Sequence, residues 1–458
     1  MLYRQLAEHF MGAIEAGQLP AYGRMPSLRQ VVRQHQVSMT TALKCFEYLE
    51  QHSWIESKPQ SGYFVLDVCQ RDSPELSYFQ GQPRLADSVL QPPTIADGPL
   101  GYARLGPDPI LAKQLGQALN RAHQRLQGQL NQYPRAQGEL FLRQALATHF
   151  AEQGLISQPD DWLITHGAMD AVRRALNICT HKGDAVAISS PCYNGLLQLL
   201  AQMGRQVVEI PSMSDGVDLS QLEALMKQGQ IQAALFCTSH MNPQGVSMSA
   251  SQKQQLAMLA NRYQIPVIED DVYLELSHSG VNPLPAKYYD TGGYLIWCGA
   301  VSKTLGAAYR LGWCIPSRYL RAMLTDTQSG CFGVATPIQH AVADYLDSGL
   351  YRRYLKRVNQ QLRSQCSDYR HRLAQALPAA ARISQPQGGL VLWVQLPDID
   401  TTMLVADGEK PALDIQVGAQ FTTRELYGDC LRINFGYPLL PESEAEHSLQ
   451  RLLEQLAG

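Results

Sequence analysis

The stretch YLIWCGAVSKTLGAAYRLGW, residues 294–313, joins an apolar run to a lysine that lies among small residues. The run YLIWCGA is short and apolar, as is typical of a buried strand in a parallel sheet. Lys303 follows it directly, and a buried lysine needs a chemical reason. Desolvation lowers the pKa of an amine and makes its neutral, nucleophilic form accessible. A Schiff base between Lys303 and an aldehyde cofactor is one such reason, and Ser302 and Arg310 could hold the phosphate of that cofactor by charge-assisted hydrogen bonds.

Short apolar runs alternate with helical stretches over much of the chain from about residue 101. This alternation predicts an α/β domain with a mainly parallel sheet that is wound by helical crossovers. From about residue 330, long helices precede short strands and a final helix from Glu442 to Leu456, which predicts a smaller α+β domain. The runs interpreted as strands are AVAIS (185–189), QVVEI (206–210), AALFC (233–237), PVIED (266–270), YLIWCG (294–299), LVLWVQL (390–396), DIQVG (414–418) and LRINFG (431–436).

The first 66 residues carry signals for three helices followed by a hairpin. Apolar residues about four apart predict a helix over residues 2–17. Ser27 is placed to cap a second helix, and Ser38 or Thr40 a third. Two β-prone runs then flank a turn at Gly62, which indicates a β-hairpin. Three helices and a hairpin within this length predict a winged helix-turn-helix.

The charge distribution restricts where nucleic acid could bind. The net charge of −3 excludes a polycation, so any such contact must come from a local surface. In the first 66 residues, six lysines and arginines stand against five glutamates, which is only slightly basic. Four of the six lie where the second helix, the third helix and the turn would meet phosphates, namely Arg24, Arg29, Lys44 and Lys58.

Length and composition set the remaining limits. A chain of 458 residues with 45% hydrophobic and 17% charged residues is globular and long enough for about three domains. The ten cysteines form no CxxC pair and no zinc-type spacing, so no metal site is predicted. Residues 67–100 contain several prolines and no periodicity, and we interpret them as a linker and arm. Without a signal sequence or an apolar run of about 18 residues, the protein is expected to be soluble and cytoplasmic.

The segment around Lys303 resembles the SK-T…R-LG motif of fold-type I pyridoxal-phosphate enzymes. The resemblance implies that Lys303 carries pyridoxal 5'-phosphate and that Ser302 and Arg310 bind its phosphate. Many members have a hydroxyl residue where this chain has Ala300, so one phosphate contact is missing or comes from elsewhere. Residues 165–169, THGAM, resemble the turn whose backbone amides hold the phosphate. The resemblance therefore adds the cofactor-binding residues Gly167, Ala168 and Met169.

Further motifs resemble those of the same enzymes and come in the same order. Tyr193, in PCY, resembles the aromatic residue that stacks on the pyridine ring. Asn242, in NPQG, resembles the asparagine that bonds the ring hydroxyl. In DDVY, Asp270 resembles the partner of the protonated ring nitrogen, and Tyr273 the partner of the phenolic oxygen. Arg432, in LRI, resembles the arginine that binds the substrate carboxylate, with Asn242 beside it. The catalytic residues that this implies are Lys303, Asp270 and Tyr273.

The first 66 residues resemble the GntR-type winged helix through LYRQLAEHFMGAIEAGQLP, MPSLRQVV, VSMTTALKCFEYLEQHSWIES and QSGYFV. The resemblance implies DNA contacts from the second helix, the third helix and the wing tip. Relatives usually have arginine where this chain has Met39, so one contact is lost and the sequence preference should differ. The implied DNA-binding residues are Arg29, Ser38, Thr40, Thr41, Lys44 and Gly62.

A GntR-type head on an aminotransferase-like body is the arrangement of the MocR subfamily of bacterial regulators. This resemblance implies a transcription regulator that senses an amino compound, or pyridoxal phosphate itself, through aldimine exchange at Lys303. It also implies a homodimer on a double-stranded DNA operator, with Tyr133 reaching the phosphate of the neighbouring subunit. The corresponding domains are the winged helix (1–66), the linker and arm (67–100), the large cofactor-binding domain (101–330) and the small C-terminal domain (331–458).

Two other functions stay open at this point. The site is complete enough for a working aminotransferase that acts on an amino acid and carries the head as an accessory. In that case Lys303 would shuttle protons, Asp270 would pair with the ring and Arg432 would anchor the carboxylate. Winged helices also serve as interaction or dimerisation modules, but the intact chemical residues argue against a pure interaction protein. The sequence identifies neither the effector, the operator nor the direction of regulation.

Overall fold

The computed structural model describes residues 2–52, 54–58, 61–67, 74–87, 97–404 and 413–457. The N-terminal part forms three helices and a hairpin, as predicted from the sequence. Its elements are α1 (Leu2–Glu15), α2 (Leu28–His35), α3 (Met39–Gln51), β1 (Ile55–Lys58) and β2 (Gly62–Val65). The two strands pair in antiparallel fashion, with Ile55 opposite Val65 and Lys58 opposite Gly62.

The starts of α2 and α3 are fixed by serine caps. The Ser27 hydroxyl accepts from the backbone N–H of Gln30 at 3.3 Å, and the Gln30 side chain accepts from the Ser27 N–H at 2.8 Å. This reciprocal pair satisfies N–H groups that have no acceptor within the helix. Ser38 caps α3 by accepting from the N–H of Thr41 at 3.1 Å. Of the two caps proposed for this helix, Ser38 is therefore the right one, and Thr40 lies in the first turn.

The head has an apolar core of its own. Phe46 of α3 packs edge-on against Phe10 of α1 and Tyr63 of β2, at centroid distances of 5.9 and 5.0 Å. Full burial of an aromatic side chain of this size stabilises a fold by roughly 1.5–3 kcal/mol. The side chains with no exposed surface are Ala7, Val31, Ala42, Cys45, Phe46, Leu49 and Val65. The helices and the hairpin therefore form one folding unit.

The remainder of the chain is an α/β body with two sheets. The helices are α4 (Pro109–Arg125), α5 (Leu140–Ala151), α6 (Ala168–Cys179), α7 (Asn194–Gln202), α8 (Leu219–Lys227), α9 (Ala250–Tyr263), α10 (Leu320–Gly330), α11 (Thr336–Asp347), α12 (Leu350–Ala376) and α13 (Glu444–Ala457). The large sheet contains β3 (Leu85–Asp87), β4 (Leu163–Thr165), β5 (Ala185–Ser190), β6 (Gln206–Met213), β7 (Gly216–Val217), β8 (Ala233–Phe236), β9 (Val267–Asp270), β10 (Leu295–Ala300) and β11 (Gly312–Ile315). The small sheet contains β12 (Arg382–Ile383), β13 (Val391–Gln395), β14 (Gln416–Val417) and β15 (Cys430–Asn434).

The large sheet is mainly parallel, as the alternating pattern predicted. Its order is β3-β6-β5-β8-β9-β10-β11-β4, and β7 pairs with β6 outside this path. The neighbours from β6 to β10 are parallel, whereas β3, β7, β11 and β4 pair in antiparallel fashion. Helices cover the sheet, so its central strands are buried along their whole length. Within the described residues, no helix combines the length and the apolar character that crossing a bilayer would require.

Two boundaries differ from the sequence predictions. Residues 85–87, placed in the linker and arm, form the edge strand β3, with Ala86 opposite Val207 of β6. A strand of three residues is too short to show periodicity, so only the neighbouring strand reveals it. The last helix begins at Glu444 rather than at Glu442. Glu442 has a φ of 63°, a left-handed conformation that cannot continue a right-handed helix.

The parallel strands bring four predicted site residues to one edge of the sheet. Tyr193 follows β5, Asn242 follows β8, Asp270 ends β9 and Lys303 follows β10. These four strands run in the same direction, so their carboxyl ends lie side by side. In open α/β sheets this edge is where ligands bind.

Candidate functional site

Lys303 lies in the short turn after β10 with its side chain partly buried. Its Nζ donates to the carbonyl oxygen of Ala103 at 2.7 Å and lies 5.5 Å from the centre of the Tyr273 ring. Burial, together with the Arg432 guanidinium, lowers the pKa of Lys303 to about 8, although the Asp270 carboxylate acts in the opposite direction. A large fraction of this amine is therefore neutral, and nucleophilic, in weakly alkaline solution.

Asp270 offers a buried acceptor at the end of β9. Its side chain is almost fully buried, and its Oδ1 has no hydrogen-bond partner among the described residues. Burial, with the neighbouring Asp271 carboxylate, raises the pKa of Asp270 to about 7, and the Lys303 amine opposes this shift. Buried carboxylate oxygens nearly always accept a hydrogen bond. Asp270 therefore keeps an acceptor that suits a protonated group.

Arg432 reaches the same edge from the small sheet, where it lies in β15. It is 3% exposed, its Nη1 donates to Asn242 Oδ1 at 3.3 Å, and its Nη2 donates to the carbonyl oxygen of Gly101. Burial lowers the pKa of Arg432, and its Nε has no partner among the described residues. The small sheet therefore contributes a desolvated guanidinium whose Nε–H is unused, which suits a carboxylate.

Two tyrosines complete this side of the site. Tyr273 is almost fully buried, and Tyr193 precedes the first residue of α7. Burial raises the pKa of both phenols, and the Arg432 guanidinium only partly offsets that effect. Both hydroxyls therefore stay protonated at neutral pH and can donate hydrogen bonds to a ligand.

A segment that the sequence did not single out lies across the site. We call residues 98–104 the strap. Its carbonyl oxygens accept hydrogen bonds from both key cations, Gly101 from Arg432 and Ala103 from Lys303. The strap therefore already accepts hydrogen bonds from Lys303 and Arg432, the two side chains that were expected to bind the cofactor and the ligand.

Two side chains, the partly buried Asp414 and the fully buried Asn434, hold the strap against the small sheet. Asp414 accepts from its backbone N–H groups, and Asn434 donates to its carbonyl oxygens. The N–H groups belong to Gly98, Leu100 and Gly101, at 3.0, 2.6 and 3.0 Å, and the carbonyls to Pro99 and Arg104, at 2.7 and 3.0 Å. More than 300 residues separate Asp414 from the strap, so no local pattern pointed to this contact.

The turn between β4 and α6 is closely packed. Gly167 has a φ of 94°, which favours glycine, and a Cβ there would lie 2.7 Å from Arg310 Nη2. A Cβ on Gly312 would lie 2.5 Å from the carbonyl carbon of Gly167. The N–H groups of the first helical turn, which includes Ala168 and Met169, have no acceptor within α6 and suit an anion. The turn can therefore take a phosphate close to its backbone.

The residues beside Lys303 add few polar groups to this phosphate-binding turn. Ser302 is partly buried in the same turn as Lys303. Ala300 ends β10 and is buried, with no polar atom in its side chain. Arg310 is exposed, and its Nη2 donates to the carbonyl oxygen of His166 at 3.1 Å. A phosphate here would rely on Arg310 and on backbone N–H groups.

Tyr133 does not join the site within one chain. Its side chain is 82% exposed and packs on Phe332, with ring centres 5.4 Å apart. The exposed ring is therefore available to a second subunit.

The predicted DNA-binding residues of the head lie on or near its surface. Arg29, Thr40 and Lys44 are exposed. The Ser38 and Thr41 hydroxyls lie 2.8 Å apart and bond to each other at the start of α3, so capping uses part of their hydrogen-bonding capacity. Gly62 is exposed at the start of β2 with a φ of 98°, and the Arg24 guanidinium lies beside it, with Nε 3.5 Å from where a Cβ would be. Met39 is 47% exposed and places an apolar group on this surface.

The residues at the sheet edge fit pyridoxal 5'-phosphate. The unpaired Oδ1 of Asp270 suits the protonated ring nitrogen, and the Lys303 amine suits the aldehyde carbon. The cradle at Gly167, which a Cβ would fill, suits the phosphate. The unused Nε of Arg432 suits the carboxylate of an amino compound.

The lowered pKa of Lys303 predicts its reactivity. In cofactor-free protein, acylation of this amine should be half-maximal near pH 8, because only the neutral amine reacts. Asp270→Asn removes a carboxylate that favours the ammonium form, so the midpoint should fall. Arg432→Met removes an opposing cation, so it should rise. Peptide mass spectrometry after short exposure to an acylating reagent measures the midpoint, and one above pH 10 in the wild type would contradict this account of the site.

Comparisons with known proteins identify the family of the chain. The sequence pattern of the family "Aminotransferase class I and II" matches residues 107–452. The protein named "Uncharacterized HTH-type transcriptional regulator YdcR", from Escherichia coli (strain K12), is 28% identical over 467 residues, with 99% of each chain covered. A second from that strain, "Uncharacterized HTH-type transcriptional regulator YjiR", is 29% identical over 448 residues, with 95% of each covered.

Solved structures resemble the body of the chain. The kynurenine aminotransferase of Pyrococcus horikoshii, solved in complex with PMP, has 26% sequence identity and a TM-score of 0.71. The match covers 78% of this chain and 90% of that one. The similarity to the aminotransferase therefore leaves part of this chain unmatched, whereas the two relatives named as regulators extend over nearly all of it.

Proposed function

Because this chain belongs to the aminotransferase class I and II family, we propose that its body serves a transcription regulator of the MocR type, which binds DNA with its head. The observation that carries the proposal is that one chain combines a buried cofactor site with a separate head whose helices present exposed basic and polar residues. The two relatives named as HTH-type transcriptional regulators, matched over nearly their whole length, support it.

The proposal divides the chain into four parts. The head has its own core, and the two sheets of the body mark a large and a small domain. The strap begins within the arm and continues into the large domain. The proposed parts are residues 1–66, 67–100, 101–330 and 331–458.

The cofactor is pyridoxal 5'-phosphate, which supplies an electrophilic aldehyde and an electron-withdrawing ring when it is bound. In our proposal Lys303 provides the amine and Asp270 keeps a proton on the ring nitrogen. Tyr273 and Asn242 would orient the ring through hydrogen bonds to its oxygen, and Tyr193 would stack on its face. The phosphate would be held by Gly167, Ala168, Met169, Ser302 and Arg310, together with the partner subunit's Tyr133.

The ligand class that this site suits is an amino compound with a carboxylate. Arg432 and Asn242 lie together, and the Nε–H of the guanidinium has no partner among the described residues. The carbonyl of Gly101 already accepts from Nη2 of this guanidinium, so it competes with an incoming carboxylate for that nitrogen. The free amine of Lys303 would accept or return a proton at the ligand. Either such a compound or the cofactor itself is the signal.

The head is proposed to bind a double-stranded DNA operator, with α3 in the major groove and the wing on the backbone. A homodimer would present two heads to two half-sites, and the exposed Tyr133 fits a site completed across a two-fold axis. The proposed DNA-binding residues are Arg29, Ser38, Thr40, Thr41, Lys44 and Gly62.

The DNA-binding part of the proposal is tested by Lys44→Ala. This exposed lysine on α3 should contact a phosphate, so its loss should weaken binding by about tenfold and reduce the slope of log Kd against log salt by about 1. The probe is duplex DNA from upstream of the protein's own gene, followed by fluorescence anisotropy at several salt concentrations. Lys227→Ala, which removes an exposed lysine from α8 of the body, should change neither quantity. Absence of specific binding at every salt concentration would refute the regulator proposal.

A working aminotransferase is the second candidate. The joint burial of Asp270 and Arg432 beside the amine of Lys303 favours it, since transamination requires a protonated ring nitrogen and an anchored substrate carboxylate. Multiple turnovers between a common amino acid and a 2-oxo acid would establish it. Stoichiometric conversion that stops after one equivalent would leave regulation as the function of the site.

A further inference from the structure

Helix α12 (Leu350–Ala376) contacts both the lysine site and the head. Its 27 residues correspond to a length of about 40 Å at 1.5 Å per residue. Apolar residues along the helix, Leu355, Val358, Leu362 and Leu373, are buried in the core of the body. The helix is therefore a rigid element whose two ends have different surroundings.

The first turns of α12 hold the residue that follows the lysine. Thr304 is 3% exposed, and its carbonyl oxygen accepts from the Tyr354 hydroxyl at 2.6 Å. Its own hydroxyl lies 3.0 Å from that of Tyr351, which donates to Glu275 Oε2 at 2.7 Å. Both tyrosines are almost fully buried. The backbone at Lys303 cannot move far without moving α12 or breaking one of these bonds.

Glu275 fixes this end of the helix to the large domain. The pKa of its carboxyl is lowered, because the His149 ring at 2.5 Å and its hydrogen bonds outweigh the effect of burial. The carboxylate is therefore ionised at neutral pH and a strong acceptor for Tyr351. Asn359, two turns further along α12, donates to the backbone carbonyl of Glu275 at 2.9 Å. The network is buried, so each of its bonds is hard to replace by water.

The second half of α12 holds the head. The Arg363 guanidinium lies over the Tyr22 ring, 3.4 Å from its centre, and Tyr22 is tied to the wing by its N–H, which donates to the Val65 carbonyl at 2.8 Å. Arg370 pairs with Asp67, directly after the wing, at 3.0 Å, and both side chains are nearly fully buried. Between Tyr351 and Arg370 the helix rises by about 28 Å. One helix therefore contacts Thr304, which follows Lys303, and also Tyr22 and Asp67, where the head meets the body.

We propose that α12 couples the state of Lys303 to the DNA-binding head. A change at Lys303 that displaces Thr304 shifts the helix through Tyr351 and Tyr354, and the shift alters how Arg363 and Arg370 hold the head. The proposal rests on the proposed function and names how its site is regulated. It requires that cofactor and DNA affinities be linked in both directions, because coupling between two sites is reciprocal.

The test compares DNA affinity with and without cofactor in the full-length protein. The probe ligand is pyridoxal 5'-phosphate, the DNA is the duplex from upstream of the protein's own gene, and a random duplex gives the background. In the wild type, the Kd values of cofactor-free and cofactor-saturated protein should differ by about fivefold or more, in either direction. Tyr351→Phe and Arg363→Met, at opposite ends of the linkage, should reduce this ratio to less than about twofold. Absorbance titration should show that both variants still bind the cofactor.

The matched control is Arg353→Met, which changes an exposed arginine on the same helix. This variant should keep the wild-type ratio, and thermal unfolding should show that all three variants are folded. The proposal is overturned if both test variants keep the ratio, or if the two wild-type forms bind DNA equally well. Loss of specific DNA binding by wild type in both forms is a different result, since it refutes the proposed function and this inference together.

Discussion

Lys303→Ala should abolish the visible absorbance of protein incubated with pyridoxal 5'-phosphate, while the chain stays folded. The band depends on a covalent bond between the cofactor and the neutral amine of Lys303, which burial keeps accessible near pH 8. Any transamination should fall by about a factor of 10⁶, as when a catalytic nucleophile is removed. Spectra recorded after dialysis, together with intact mass after borohydride reduction, measure the effect.

The same variant has a second readout in the absence of cofactor. The folded-state pKa of about 8 lies below the ordinary lysine value of 10.5, so the unfolded chain binds more protons between these pH values. The free energy of unfolding of the wild type should therefore rise with pH across this window, relative to the variant, by at most about 3 kcal/mol. Chemical denaturation at pH 8 and pH 10 measures the difference.

The control for position 303 is Lys227→Ala, which removes an exposed lysine far along the chain from the site. Its spectrum and its pH dependence should match those of the wild type. A visible band that survives dialysis in Lys303→Ala would mean that another amine carries the cofactor, and the account of the site would fail.

Gly312→Ala should lower both the stability of the fold and its affinity for the cofactor, although it adds only one methyl group. The new Cβ would lie 2.5 and 2.6 Å from the backbone carbon atoms of Gly167 and 2.9 Å from the Ala168 nitrogen. These atoms form the phosphate turn, and backbone cannot swing aside as a flexible side chain can. Overpacking of this kind costs about 1–3 kcal/mol of stability. Cofactor affinity should fall by about tenfold or more, because the displaced amides no longer converge on the phosphate.

The matched control is Gly116→Ala in α4, where a Cβ would meet nothing within 4 Å. This change should leave cofactor affinity unaltered and should stabilise the fold by about 0.5–1 kcal/mol, since alanine favours a helix interior. Thermal unfolding and absorbance titration of the two variants side by side make the comparison. Wild-type cofactor affinity in Gly312→Ala would show that the phosphate does not bind at this turn.

Much of the fold could be predicted because its signals are local. Apolar runs marked the central strands of the large sheet, and serine side chains marked the starts of α2 and α3. Where a local signal was missing, the prediction failed. The edge strand at residues 85–87 exists only because it pairs with β6, and Glu442 is excluded from the last helix by a backbone angle that no sequence pattern reveals.

The candidate site was predictable for a related reason. Its residues are placed at the ends of neighbouring parallel strands, so each stands in a short motif of its own and the fold brings the motifs together. Lys303, Asp270 and Asn242 all reach one edge of the sheet in this way. The strap, by contrast, carries no motif, and its contacts with Lys303 and Arg432 were not foreseen.

By itself, the sequence determined the order of the elements, the chemical groups at the sheet edge and the presence of a head in front of a cofactor-binding body. Only the tertiary structure decided that the strap covers the site and that α12 joins Thr304 to Tyr22 and Asp67. The physical reason is the range of the interactions. Helix caps and apolar periods act over a few residues. The ion pair between Asp67 and Arg370, by contrast, spans 303 positions, and the sequence around neither residue contains a pattern that predicts it.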